Sequence, residues 1–155
     1  MKLSPLQLSH YFITELHFVA AAIFDPAKDV ELRDEHFTIE PIFQRAQEND
    51  LQWQVTLKLN QEAPAKTNTP YSFSVVIVGL FEVHPKFEKE RIERMVHTNA
   101  SSVLYGIARE IVRGLTTRGP YPGLMLPSVS FLPDVIPKEQ VAPETESSGA
   151  ASEPK

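Results

Sequence analysis

The apolar residues of this chain change period once, and that change dictates two layers of structure. Between Gln52 and Asn60, the apolar Trp53, Val55, Leu57 and Leu59 alternate with Gln52, Gln54, Thr56, Lys58 and Asn60. Period two sends the two sets to opposite faces of a pleated strand, one dry and one wet. From Ala100 the spacing becomes three and four. Val103, Leu104, Ile107, Ala108, Ile111, Val112 and Leu115 form one stripe of an amphipathic helix, with Arg109, Glu110, Arg113 and Arg118 opposite. A chain that writes its strands first and its helices afterwards folds as α+β.

Three further strands flank the clean one. Leu6, Leu8, Phe12, Leu16, Phe18 and Ala20 fall on even positions and predict one apolar face, with Tyr11, Ile13 and Val19 on the other. A second strand is expected over Phe37–Arg45, where Pro41 predicts a bulge or irregularity. The fourth runs over Tyr71–Val83, with Phe73, Val75, Ile77 and Phe81 on one face and Val76, Val78 and Leu80 on the other. Water is expected to reach neither face of its later part. Gln47–Asp50 reads as a turn, and Glu62–Pro70 as a Pro-rich hairpin loop. The expected fold is a four-stranded antiparallel sheet with the long C-terminal helix packed on it.

The charged stretch Phe87–His97 reads as a solvated helix, interrupted at Thr98-Asn99, where a new helix is capped. Ser101 and Ser102 are expected to cap amides at that start. Gly106 and Gly114 each cost about 1 kcal/mol against alanine inside a helix. They predict close approach of another backbone. Together with the second apolar face of strand four they predict self-association, most simply two-fold. Gly119-Pro120 ends the helix in the manner of a C′ glycine followed by proline.

Residues 1–132 read as one domain, and residues 133–155 as a disordered, Pro-rich acidic tail. Pro133, Pro137, Pro143 and Pro154 interrupt it, and Val135, Ile136 and Val141 are its large apolar residues. Such a segment buries too little surface to offset chain entropy. The whole chain carries 15 Lys and Arg against 20 Asp and Glu, a net charge of -5, so nucleic acid is not expected as a partner. The cysteine count of 0 removes disulfides and thiolate chemistry. No apolar run reaches the ~18 residues of a membrane span. The first residues lack the apolar core of a signal peptide. A cytoplasmic protein without a membrane partner is expected.

No catalytic arrangement emerges. His10, His17, His36, His84 and His97 show no metal-ligand spacing, and His10 and His17 are predicted on opposite faces of one strand. Phosphate-cradling glycine patterns and a nucleophile elbow are missing. No enzyme and no cofactor are expected. Phe12, Phe18, Trp53, Tyr71 and Phe73 read as strand core rather than base-stacking platforms. What remains is an apolar, proline-studded segment: Tyr121, Leu124, Met125, Leu126, Val129 and Phe131, punctuated by Pro120, Pro122 and Pro127. Either it covers its own core, or it forms one wall of a groove for extended peptide, a surface to which methionine is suited.

The stretch Asn99–Phe131 resembles the signature region of the SecB export chaperones. The shared features are Ala108-Arg109-Glu110 in the helix, Thr117-Arg118-Gly119 at the turn, Tyr121-Pro122, and the close Leu126-Pro127-Ser128-Val129-Ser130-Phe131. Gly79-Leu80-Phe81 also matches the family's fourth strand. The resemblance implies a homo-oligomer built as a dimer of dimers. It implies an ATP-independent holdase that binds unfolded or precursor polypeptides and supports protein export. By that resemblance Tyr121, Leu124, Leu126, Val129 and Phe131 contact peptide, and Met125 joins them as a residue of the same apolar segment. The family docks the SecA export ATPase through acidic positions on the sheet. Glu15 keeps one, while Val19 and Ser74 stand at two others. Leu132-Pro133 and Pro137 are expected to shorten or abolish the family's second helix. The rival reading on the same fold is an adaptor dedicated to one partner, such as an antitoxin-type client, with no docking to the ATPase.

Overall fold

The strand that is apolar on both faces takes an inner position. In the computed structural model, which describes residues 2–133, the strands are β1 (Leu6–Ala20), β2 (Phe37–Arg45), β3 (Gln52–Gln61) and β4 (Tyr71–Val83). They form one antiparallel sheet in the order β1-β4-β3-β2. The helix α1 (Ile92–Thr116) is entered through a 3-10 turn at Lys89–Arg91 and lies across β4 and β3. The expected α+β architecture is therefore the observed one. Val55, Leu57, Leu59, Val75 and Ile77 meet Val96, Leu104, Ala108 and Val112 in a closed core. At Gly79 a Cβ would come within 2.8 Å of Leu104, so the helix side chain rests on bare strand backbone.

Strand β1 departs from simple alternation. Register shifts against β4 lie between Leu8 and His10 and again between Ile13 and Glu15. Each adds one residue, and each reverses the parity of the residues after it. Tyr11 and Ile13 consequently pair with Gly79 and Ile77 and face the helix, together with Leu8 and Leu16. Phe12 pairs with Val78 on the outer face, where it is 42% exposed, and is not strand core. His10 and His17 both point outward, opposite Leu80 and Ser74, rather than to opposite faces. Along the middle of β1, Tyr11, Ile13 and Leu16 remain exposed on the helix side, although α1 also touches this strand.

Pro41 causes no bulge. It pairs regularly with Leu57. Inward bonds at the strand's ends come from even-numbered residues, with Glu62 donating to the His36 carbonyl and Ala46 to that of Gln52. The odd-numbered Pro41 therefore turns its nitrogen away from β3, where an edge strand needs no donor.

The helix is continuous through Thr98-Asn99, against the expected interruption. Burial of Ile92, Val96 and Ala100 on one stripe outweighs the weak helix preference of those two residues. Ser101 and Ser102 therefore sit in mid-helix, where their hydroxyls donate to the carbonyls of His97 and Thr98 at 2.7 and 2.8 Å instead of capping amides. Gly119 does follow the helix, but no described glycine has positive φ. Its constraint is space: a Cβ there would lie 2.5 Å from the Tyr71 hydroxyl. Nothing stands within 4 Å of a Cβ at Gly106. The close backbone approach expected there does not occur within this chain. Of the expected tail, residues 134–155 and any second helix in them lie outside the described residues.

Candidate functional site

After α1 the chain turns at Gly119 and runs back along the helix without regular secondary structure as far as Pro133. Side chains at 105, 109, 112 and 116 recur one turn apart and share a helix face. Three of them hold this strap by its backbone. The Tyr105 hydroxyl donates to the Pro127 carbonyl at 2.6 Å, and Arg109 Nε donates to that of Leu126 at 3.1 Å. The Leu124 N–H donates to Thr116 Oγ1 at 2.8 Å, while that hydroxyl donates to the Val112 carbonyl at 2.8 Å. At the near end, Tyr71 of β4 accepts the Tyr121 N–H at 2.9 Å, and Tyr121 Oη donates to the Ala21 carbonyl at 2.8 Å. Burial pushes the Tyr105 phenol above its ordinary pKa of 10.0, and the nearby Arg109 guanidinium offsets part of the shift. The phenol therefore stays neutral and a donor.

This clamping decides which strap side chains are reachable. Leu124 and Leu126 point inward and are 3% and 1% exposed. They belong to the chain's own core and form no open wall. Met125, between them, points outward and is 54% exposed. Tyr121, Val129 and Phe131 are half-buried, packed on the core with one side free. Burial thus divides the segment into two sets of residues. The segment covers its own core through Leu124 and Leu126 and offers apolar surface through the other four.

Two neighbours that the sequence did not single out complete the surroundings. At the near end, Phe24 of the loop after β1 stacks at a tilt on Tyr121, with ring centroids 4.8 Å apart. That loop is fastened by Asn68, whose Oδ1 accepts the Asp25 N–H at 2.9 Å and whose amide donates to the Asp25 and Asp29 carbonyls at 3.0 Å. At the far end, Phe131 meets Tyr105 edge-on at 5.9 Å. Phe131 also shares a recess with His97, and the His97 ring stacks on Phe43 of β2 at 3.9 Å. Half-buried Phe37, Ile39 and Phe43 line the β2 edge on the helix side. The buried hydroxyl of Tyr71 was the available signal, because an enclosed phenol needs a polar partner.

The outer face of the sheet carries the other expected position. Glu15, Val19 and Ser74 all project there, and Glu15 Oε1 accepts the Ser74 hydroxyl at 2.9 Å. Among the described residues, no group of three or more His, Asp or Glu side chains could hold a metal, and no helix is long and apolar enough to cross a membrane.

The profile of the family described as preprotein translocase subunit SecB matches residues 6–134, which takes in the whole sheet, the helix and the strap. The chain belongs to the SecB family. The protein-export protein SecB of Bradyrhizobium sp. (strain BTAi1) is 31% identical over 83 residues, covering 54% of this chain and 51% of the relative. That of Rhodospirillum centenum is 29% identical over 84 residues, covering 54% and 50%. The chain thus spans about half the length of the curated SecB relatives it matches. The fold is also that of a SecB-like chaperone from Mycobacterium tuberculosis, solved in complex with a peptide from an antitoxin. The two superpose with a TM-score of 0.63 at 17% identity, over 81% of this chain and 91% of that one.

Proposed function

We propose that this SecB-family chain is an ATP-independent holdase, a non-catalytic cytoplasmic protein that binds unfolded or precursor polypeptides and supports protein export. The observation that carries the reading is the clamped strap. Tyr105 and Arg109 donate to its carbonyls and Thr116 accepts its Leu124 N–H, which leaves Met125 exposed and Tyr121, Val129 and Phe131 with one side free. Apolar burial at about 25 cal/mol per Å² is indifferent to client sequence. The β2 edge adds backbone groups of Phe37, Ile39 and Phe43 to which an extended client can pair, a contact equally free of sequence demands. Release of such a client needs no chemistry. The holdase lowers the concentration of free unfolded chain by mass action.

The self-association implied for the family, a dimer of dimers, is supported by uncovered apolar surface. Tyr11, Ile13 and Leu16 on β1 and Val103 on α1 remain exposed in one copy. We also propose that residues 1–132 act as the client-binding domain and that the tail takes no part in it. The test is aggregation of a denatured client without ATP, scored against chain concentration. Suppression at stoichiometric ratio supports the holdase. No suppression at large excess overturns it.

A second reading, an adaptor dedicated to one partner, is favoured by the outer sheet face. There the retained acid Glu15 is engaged by Ser74, and Val19 replaces a second acid. Docking to the SecA ATPase through Glu15 then rests on a single carboxylate. Co-sedimentation with that ATPase, and a comparison of several unrelated clients, separates the two readings.

A further inference from the structure

Strand β2 lies at the edge of the sheet, so one row of its backbone groups faces no neighbouring strand. Its even-numbered residues bond to β3, and the odd-numbered ones, Phe37, Ile39, Pro41, Phe43 and Arg45, turn their backbone groups outward. Phe37 donates its N–H to the Asp34 carbonyl in the turn before the strand. Among the described residues, no backbone carbonyl takes the N–H groups of Ile39, Phe43 and Arg45. Pro41 stands at the centre of this row with a carbonyl to offer and no donor. Successive outward donors on a regular edge stand about 6.8 Å apart, whereas those of Ile39 and Phe43 are separated by about 13–14 Å.

We propose that Pro41 interrupts pairing along this edge, so that an extended client segment is held by separated donors on either side of it and cannot build a continuous ladder. This role of Pro41 rests on the holdase reading and sets how the client backbone is gripped. The occupant is a client segment rather than a second copy of β2. A second β2 would bring its own Pro41, and a ladder between the two would lack a donor twice where a client meets the gap once. Proline on an edge strand is one of the devices that prevent edge-to-edge pairing. The edge is also continuous with the far end of the strap, because Phe43 stacks on His97, which shares a recess with Phe131. A holdase has to release what it binds. A gap in the middle of the row keeps the backbone contact short and leaves apolar burial as the main hold on the client.

The test is amide hydrogen exchange by NMR on the full chain, with and without a synthetic peptide of alternating valine and serine. In the wild type the peptide should slow exchange at Ile39 and Phe43. In Pro41→Ala the new amide at position 41 should be protected as well. Peptide affinity should then rise about two- to tenfold, the worth of one added hydrogen bond. Peptide binding that leaves Ile39 and Phe43 exchanging as fast as before overturns the proposal alone. So does a Pro41→Ala chain that binds the peptide no tighter and leaves the amide at position 41 unprotected. Protection that needs no peptide and grows with chain concentration also overturns it, since it assigns the edge to a second copy. A wild type that neither binds the peptide nor suppresses aggregation of a denatured client overturns the holdase reading and this role of Pro41 together.

Discussion

Tyr71 grips the backbone of Tyr121 from both sides: its hydroxyl accepts that residue's N–H at 2.9 Å and lies 2.7 Å from its carbonyl oxygen. The same hydroxyl is 3.1 Å from the Thr116 carbonyl, so its one proton serves one of two acceptors. A residue at the start of β4 thus fastens the end of the helix and the beginning of the strap at one point.

Tyr71→Phe should therefore destabilise the fold while preserving its shape. The ring remains, but the Tyr121 N–H and one carbonyl lose their partner in an enclosed site. Each unsatisfied buried group costs about 1–3 kcal/mol. The urea midpoint should fall with an unchanged slope. An unchanged midpoint would mean that the strap is held without this contact.

Two glycine-to-alanine changes should act with opposite signs. At Gly119 the added methyl meets the Tyr71 hydroxyl at 2.5 Å, and overpacking of this kind costs about 1–3 kcal/mol. At Gly106 nothing lies within 4 Å, so Gly106→Ala should gain about the 1 kcal/mol by which alanine exceeds glycine inside a helix. Thermal midpoints of the two variants check both. A loss at Gly106 would reveal a neighbour that a single copy lacks, and sizing the variant would identify it as a second copy.

Sequence periodicity located the elements because each is long enough for its pattern to outvote exceptions. Strand β3, with strict alternation, is observed over Gln52–Gln61. In β1 the even-position pattern misplaced Phe12, Tyr11 and Ile13, since two one-residue register shifts reverse the faces and no residue type announces them. Leu124, Met125 and Leu126 were legible as one apolar group but not as two inward residues around an outward one. That sorting depends on hydrogen bonds between the strap backbone and Tyr105, Arg109 and Thr116, which lie up to 22 residues away in sequence. The unbroken helix at Thr98-Asn99 reflects burial that local propensity does not contain.

Strap attachment should weaken at alkaline pH through Tyr105. Its folded pKa is raised above the ordinary 10.0, chiefly by burial. A raised folded pKa means that its contribution is complete below the unfolded value and is lost as pH rises through the folded one. The neutral hydroxyl donates to the Pro127 carbonyl, and the phenolate cannot. Between the wild type and Tyr105→Phe, the difference in stability should therefore be constant up to about pH 10 and shrink above it. A difference that already shrinks between pH 6 and 8 would remove Tyr105 as its cause.

Neighbouring substitutions in the strap should separate client binding from folding. Met125 is 54% exposed, so Met125→Asp places its carboxylate in water, and stability should change by no more than about 0.5 kcal/mol. Under the holdase reading it also removes apolar contact with the client, of the order of 1.5–3 kcal/mol for a fully buried side chain. About 1.4 kcal/mol is tenfold in affinity, so client binding should weaken by roughly tenfold or more. Leu126 is 1% exposed, and Leu126→Asp forces a charge or a neutralised acid into a closed core, where no partner is available. That variant should lose its cooperative unfolding transition altogether, and any loss of client binding would then report folding. Circular dichroism, urea unfolding and client titration on both variants distinguish the cases. A folded Met125→Asp chain that binds client as tightly as before would show that the exposed side of the strap is not the contact surface.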